Sequence, residues 1–257
     1  MFRSLVSLIL VLLAVQASPA LGPPPSLEAL QGENLEFDIR WGIIPAARAS
    51  LEVTPGGDGL VTLRAKARTL PYIDTVFPVR DLVESTVRLA DLSVLRFYKK
   101  TREGRSRSRE DEAVFDPETG EVQSFRRGKP RGTLLAPPGV QDPLSSFYAF
   151  RTMALTSDDT VSIDITDGNR LVTGTVSVLK RETVKTPAGT FRTVLVEPHI
   201  EGVGGVFRRS PGARVLIWLT DDGWRRPVKL QSAVAVGSFT AELTRIVHPA
   251  PLPRDPG

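Results

Sequence analysis

Residues 35–67 read LEFDIRWGIIPAARASLEVTPGGDGLVTLRAKA. Leu35, Phe37, Ile39 and Trp41 fall on one side of an extended chain, and Glu36, Asp38 and Arg40 on the other. Side chains alternate faces along a strand, so a period of two predicts a half-buried β-strand. Ala47, Ala49, Leu51 and Val53 repeat the pattern, as do Val61, Leu63, Ala65 and Ala67. Between these runs stands Pro55-Gly56-Gly57-Asp58-Gly59, a stretch of turn formers. Two alternating runs around such a turn predict a hairpin.

The same alternation continues outward. Residues 81–89, 93–103, 105–115 and 121–127 read as further strands, the last two joined by a turn at Asp116-Pro117-Glu118-Thr119-Gly120. The period then changes once. Asp142-Pro143 has an N-cap residue before a proline suited to the first helical position, and Leu144, Phe147, Tyr148 and Arg151 follow at helical spacing. This predicts one main helix over 142–153. Strands resume at 170–180, 191–200, 214–219, 228–236 and 238–247. Together these elements predict a mainly β protein: a curved antiparallel sheet approaching a barrel or β-spiral. The helix is expected to cover an opening or pack inside the concave face.

The amino terminus has targeting chemistry. Met1-Phe2-Arg3 is short and basic, residues 5–15 are apolar apart from Ser7, and Ala17-Ser18-Pro19-Ala20 places small residues before a cleavage point. The apolar run is too short to span a bilayer comfortably and fits a signal peptide over residues 1–20. Cleavage after Ala20 leaves no transmembrane anchor, and with no cysteine there is no site for a lipoprotein's lipid. The expected compartment is the periplasm. A Pro-rich leader (21–32), a single β-rich domain (33–247) and a Pro-rich tail (248–257) complete the expected organisation.

Composition narrows the chemistry. Of 257 residues, 41% are hydrophobic and 24% charged, as in ordinary globular proteins. The charge of +4 is too small to imply nucleic acid, and secretion removes that partner. The absence of cysteine excludes disulfides, thiolate metal sites, Fe–S clusters and a cysteine nucleophile. His199 and His248 are the two histidines.

Four segments carry a resemblance to a family. Asp142-Pro143-Leu144-Ser145-Ser146-Phe147-Tyr148-Ala149-Phe150-Arg151 resembles the helix motif of a secreted bacterial family labelled domain of unknown function 3108. Pro187-Ala188-Gly189-Thr190-Phe191 with Val196-Glu197-Pro198 is similar to its hairpin motif. Trp218-Leu219-Thr220-Asp221-Asp222 with Arg226-Pro227-Val228 is similar to its late motif. Trp41-Gly42-Ile43-Ile44-Pro45-Ala46 fits its early motif, although a glycine is commoner where Ala46 stands. The resemblance implies a β-rich periplasmic protein of Gram-negative envelopes. It carries no catalytic residues and no cofactor to transfer.

The candidate sites are of two kinds. Arg105, Arg107 and Arg109 share one strand parity, with Cβ atoms about 7 Å apart. They form a candidate anion or partner site unless Glu110, Asp111 and Glu112 neutralise them; Arg126, Arg127, Lys129 and Arg131 add a second basic cluster. Trp41, Phe147 and Tyr148 are candidate lining for an apolar cavity, with core packing as the alternative. Metal is not expected, since Asp158, Asp159, Asp164 and Asp167 lack a regular oxygen-ligand series. Ser145 and Ser146 lack the Gly-x-Ser-x-Gly elbow of a hydrolase. The expected function is non-enzymatic binding of an apolar or amphiphilic envelope component (lipid or glycan) or of an envelope protein. An adaptor without small ligand and an envelope-polymer hydrolase are the alternatives. A deep apolar cavity would favour the first, and facing carboxylates the third.

Overall fold

The computed structural model describes residues 23–154, 160–199, 214–234 and 237–248. The signal-peptide expectation, Asp158, Asp159 and the tail from 249 lie outside them.

The predicted alternation becomes one antiparallel sheet of fourteen strands among the described residues. Its first half comprises β1 (Asn34–Trp41), β2 (Ile44–Gly57), β3 (Leu60–Thr69), β4 (Val79–Arg88), β5 (Val94–Glu103), β6 (Arg107–Phe115), β7 (Glu121–Arg126) and β8 (Lys129–Leu135). A short helical turn, α1 (Pro71–Asp74), interrupts it between β3 and β4. Then come helix α2 (Ser145–Thr152), β9 (Thr160–Thr166), β10 (Leu171–Thr186), β11 (Gly189–His199), β12 (Arg214–Thr220), β13 (Pro227–Val234) and β14 (Gly237–His248). Spatial order runs from β8 back to β1, then from β14 back to β9. The chain is two meanders, joined where the first strand pairs with the last, Phe37 opposite Leu243 and Trp41 opposite Phe239.

The sheet is curled but not closed. Helix α2 lies between its halves: Leu144 and Tyr148 pack with Val53, Leu63, Val87 and Phe97, while Phe150 packs with Ile163, Val194 and Leu219. Its amino-terminal approach guards one edge, because Gln141 N–H donates to Asp164 O at 2.8 Å and Thr166 N–H donates to Gln141 O at 2.9 Å. The other edge, β8, is exposed and carries Lys129, Pro130 and Arg131, residues that discourage pairing with another chain. The β9–β10 turn reaches inward onto β6 and β7. A Cβ at Gly168, whose φ is +84°, would stand 2.8 Å from Ala113 Cβ and 3.1 Å from Ser124 Cβ. Gly168→Val is therefore expected to lower stability by about 1–3 kcal/mol, read as a lower urea midpoint at unchanged slope.

Three expectations need correction. The helix starts at Ser145, not Asp142, because Pro143 and Leu144 form a turn first. Asp142 still caps: its Oδ1 accepts from Leu144 N at 2.7 Å and Ser145 N at 2.9 Å. The 21–32 segment is not a loose leader in its described part, since Leu27 and Leu30 are buried in the core beside Val53. Strands β8 and β9 stand where the alternation predicts none; β8 is largely exposed and reads as a Pro- and Gly-containing linker.

Candidate functional site

Strand register builds a site that no single stretch of sequence displays. Arg48 lies opposite Arg68, Arg68 opposite Arg80, and Arg80 opposite Arg102. Four arginines thus cross β2, β3, β4 and β5 in one row. Val53, Leu63, Ser85 and Phe97 have the opposite parity on the same strands and are buried in the interior. The arginine row therefore occupies the face turned away from the core. Beside it runs a second row, Ser50, Lys66, Leu82 and Lys100.

Both rows line a groove of about 1050 Å³, together with Ala49, Ala67 and Asp81 from the adjoining positions. Nine lining residues are Arg or Lys, against two carboxylates, Glu36 and Asp81. Several cations are already engaged. Arg245 meets Glu36 at 3.0 Å, Lys66 meets Glu52 at 3.1 Å and Arg48 meets Asp38 at 3.5 Å. Arg80 hydrogen-bonds Asp74 and thereby holds that carboxyl down at about 2. Arg105 donates to Thr75 O at 3.1 Å. Arg68, Lys100, Arg102 and Arg107 have no carboxylate within ion-pair distance among the described residues. Like charges directly opposite one another destabilise a sheet, and a bound anion would relieve this repulsion.

The predicted Arg105–Arg107–Arg109 ladder is not a unit. Gly104, Arg105 and Ser106 form a turn, so strand parity begins only at Arg107. Arg109 is tied to Asp111, which also takes Arg126 at 2.9 Å. Arg105 and Arg107 line the groove; Arg109 does not. Glu112 is taken by Arg96 at 2.5 Å. Sequence reading found cations spaced along one strand, whereas the larger assembly runs across strands and needs register to be seen.

The predicted apolar lining is dispersed as well. Tyr148 is fully buried in the core and Phe147 packs edge-on to it, ring centroids 5.6 Å apart. Trp41 stands half-exposed at the end of β1, stacked on Phe239. These three residues do not meet. Ser145 Oγ accepts from Asp142 N at 2.8 Å and Ser146 Oγ donates to Pro143 O, so both serines serve the helix start. His199 stands 3.9 Å from Glu197, whose carboxyl is held low by hydrogen bonds from Arg214. Asp164 accepts from Thr173 and Asp167 caps Asn169 in the β9–β10 turn. Among the described residues no three His, Asp or Glu are grouped to hold a metal.

A second polar assembly lies inside. Arg151 and Glu33 are wholly buried and joined by two bonds, Nη1 to Oε1 at 2.7 Å and Nη2 to Oε2 at 3.0 Å. Arg151 also donates to Trp224 O at 3.1 Å, and Arg226 reaches Glu33 at 3.3 Å. Arg225 donates to Met153 O at the end of α2. This network clamps the helix to the start of β1 and to the β12–β13 connection. Its geometry is that of a structural clasp.

The fold and its surface define a barrel-like, incompletely closed β protein with a helical plug and a cationic outer groove. The chain belongs to the family described as protein of unknown function (DUF3108), whose model matches residues 36–244. It is similar to the crystal structure of a beta-barrel-like protein of domain of unknown function DUF1849 from Brucella abortus. That likeness has a TM-score of 0.53 at 14% identity, covering 83% of this chain and 96% of the other. An exported-protein candidate of YMCC-like fold from Bacteroides fragilis matches at 13% identity over 89% of this chain and 99% of its own, with a TM-score of 0.31. A lipoprotein candidate from Parabacteroides distasonis matches at 10% identity over 90% and 100%, also at 0.31. These two superpose too loosely to bear on the fold. No curated protein matches the chain. No helix among the described residues is long and apolar enough to cross a membrane.

Proposed function

We propose that this is a non-enzymatic protein of the bacterial envelope, exported to the periplasm by its amino-terminal leader, that binds an anionic, phosphate-bearing amphiphile. The observation that carries the reading is the cross-strand arginine row in the outer groove. Guanidinium groups match phosphate oxygens with paired hydrogen bonds, and a row of them suits several phosphates or a headgroup array. Helix α2 packs against both halves of the sheet, which supports a site on the outer groove over a purely apolar one inside the sheet.

The test uses inorganic tripolyphosphate as a soluble probe, titrated calorimetrically. The variant Arg68→Gln/Lys100→Gln/Arg102→Gln is expected to bind about tenfold more weakly or worse, and the wild-type affinity to fall with added salt. Its unfolding midpoint should stay close to wild type, because these three side chains have no ion-pair partner to lose. Equal affinity of wild type and variant at low salt would overturn the reading.

A further inference from the structure

Hairpin turns of an antiparallel meander alternate between the two ends of the sheet. The β1–β2 turn, the β3–β4 connection with α1, and the β5–β6 turn therefore share one end. They are tied together: Tyr72 Oη donates to Pro45 O, Leu70 N to Ala46 O at 2.9 Å, and Gly104 N to Pro78 O at 2.8 Å. Six of the ten large apolar side chains exposed among the described residues stand on this end: Trp41, Ile43, Ile44, Tyr72, Val76 and Phe77. Ile43 is 93% exposed and Val76 81%. An apolar cluster presented on linked loop tips marks an interaction surface, since scattered single exposures would be unremarkable.

The arginine row lies directly behind these tips. Arg48 follows Ile44 by four residues, and Arg80 follows Phe77 by three. Arg68 and Arg102 lie opposite Arg80 on the neighbouring strands. At about 3.3 Å per strand residue, the cations sit roughly 10–13 Å behind the apolar tips. Apolar and aromatic groups outermost, with a cationic band one headgroup's depth behind, is the layering of an anionic bilayer read from hydrocarbon to phosphate.

We propose that the Trp41–Ile44 turn and the Tyr72–Phe77 loop seat this protein on the surface of an anionic lipid bilayer, with the arginine row on the lipid phosphates. The inference rests on the phosphate-binding reading of the groove and adds its source: an assembled bilayer. The chemistry at the tips decides between a bilayer and a free anion, because a soluble phosphate has no use for Ile43 or Val76. Ile43 is a β-branched side chain at a turn, almost wholly in solvent; lipid contact would supply the burial it lacks.

The experiment is cosedimentation of the mature chain with vesicles of phosphatidylcholine alone or mixed with phosphatidylglycerol. Wild type is expected on the phosphatidylglycerol vesicles and not on the neutral ones, less so in high salt. The variant Ile43→Ser/Val76→Ser should bind those vesicles at least about tenfold more weakly, yet bind tripolyphosphate as wild type does. Leu135→Ser, which alters an exposed apolar side chain at the opposite end of the sheet, should change neither. Three results would overturn the inference: vesicle binding by the double variant equal to wild type, equal binding to neutral and anionic vesicles, or a wild-type dimer abolished by the double variant, which would assign the loops to a second copy. Loss of tripolyphosphate binding in wild type would instead overturn the groove itself.

Discussion

Replacing Glu33 by leucine is expected to lower the unfolding free energy by about 3–5 kcal/mol, the larger of the two strongest effects. Arg151 is wholly buried, and Glu33, bonded to it twice, is its only ion-pair partner among the described residues, with Asp222 adding a weaker field from farther off. Without Glu33 it keeps one carbonyl, Trp224 O, and the faces of Tyr148 and Phe147 at 5.2 and 5.9 Å. An uncompensated guanidinium inside an apolar core loses its hydration without return. Arg226 has an easier alternative, being 11% exposed and stacked on Trp224, so the cost falls on Arg151. The double variant Glu33→Leu/Arg151→Met removes both charges, and paired removal of a buried ion pair is often close to neutral. It should recover most of the loss. Urea unfolding of the single and double variants checks this; a single variant within about 1 kcal/mol of wild type would show that water or Arg226 compensates the charge.

Why the strands could be read from sequence, and this clasp could not, has a physical cause. Alternation is local: Leu35 to Trp41 declare a strand within seven residues, because inward and outward faces differ every second residue. Burial of Arg151 is not local. At helical spacing after Leu144, Phe147 and Tyr148 it reads as the charged edge of an amphipathic helix, and its partner is 118 residues away. The arginine row failed to show for a related reason. Arg48, Arg68, Arg80 and Arg102 are each ordinary outward residues on their own strands, and only register aligns them. The visible cluster at 105–109 is not one ladder because Gly104 lets the chain turn there, so a parity count begun at Arg105 does not hold. The apolar loop tips are legible in part: Tyr72 and Phe77 lie outside the alternating runs, with Pro71 and Pro78 on either side. That Ile43 joins them depends on which end of the sheet each turn reaches, a property of topology.

The second strong effect is a stability that depends on pH through one buried carboxyl. Asp142 is wholly buried where the chain enters α2. Burial pushes its carboxyl up to about 6, against hydrogen bonds from Ser145, Ser85 and Leu144 that favour the charged form. An ordinary aspartate titrates near 3.8, so the folded chain holds this proton over a pH range in which the unfolded chain has released it. The native state binds more protons there, and stability therefore falls as pH rises. The contribution is complete below about pH 3.8 and is lost as pH rises through about 6. At about 1.36 kcal/mol per unit, a shift of roughly two units is worth about 3 kcal/mol. Asp142→Asn keeps the acceptor for Ser85 Oγ and the helix-start amides and is the uncharged isostere of the protonated acid. Between pH 4 and 7 the wild type should lose about 2 kcal/mol relative to this variant, seen as diverging urea midpoints. Parallel midpoints across that range would mean that the carboxyl is already charged in the folded protein at pH 4, with the three donors on Oδ1 outweighing burial. Because Ser85 on β4 holds Asp142 at 2.7 Å, the divergence would also report on the tie between the helical plug and the strand that carries Arg80 on its other face.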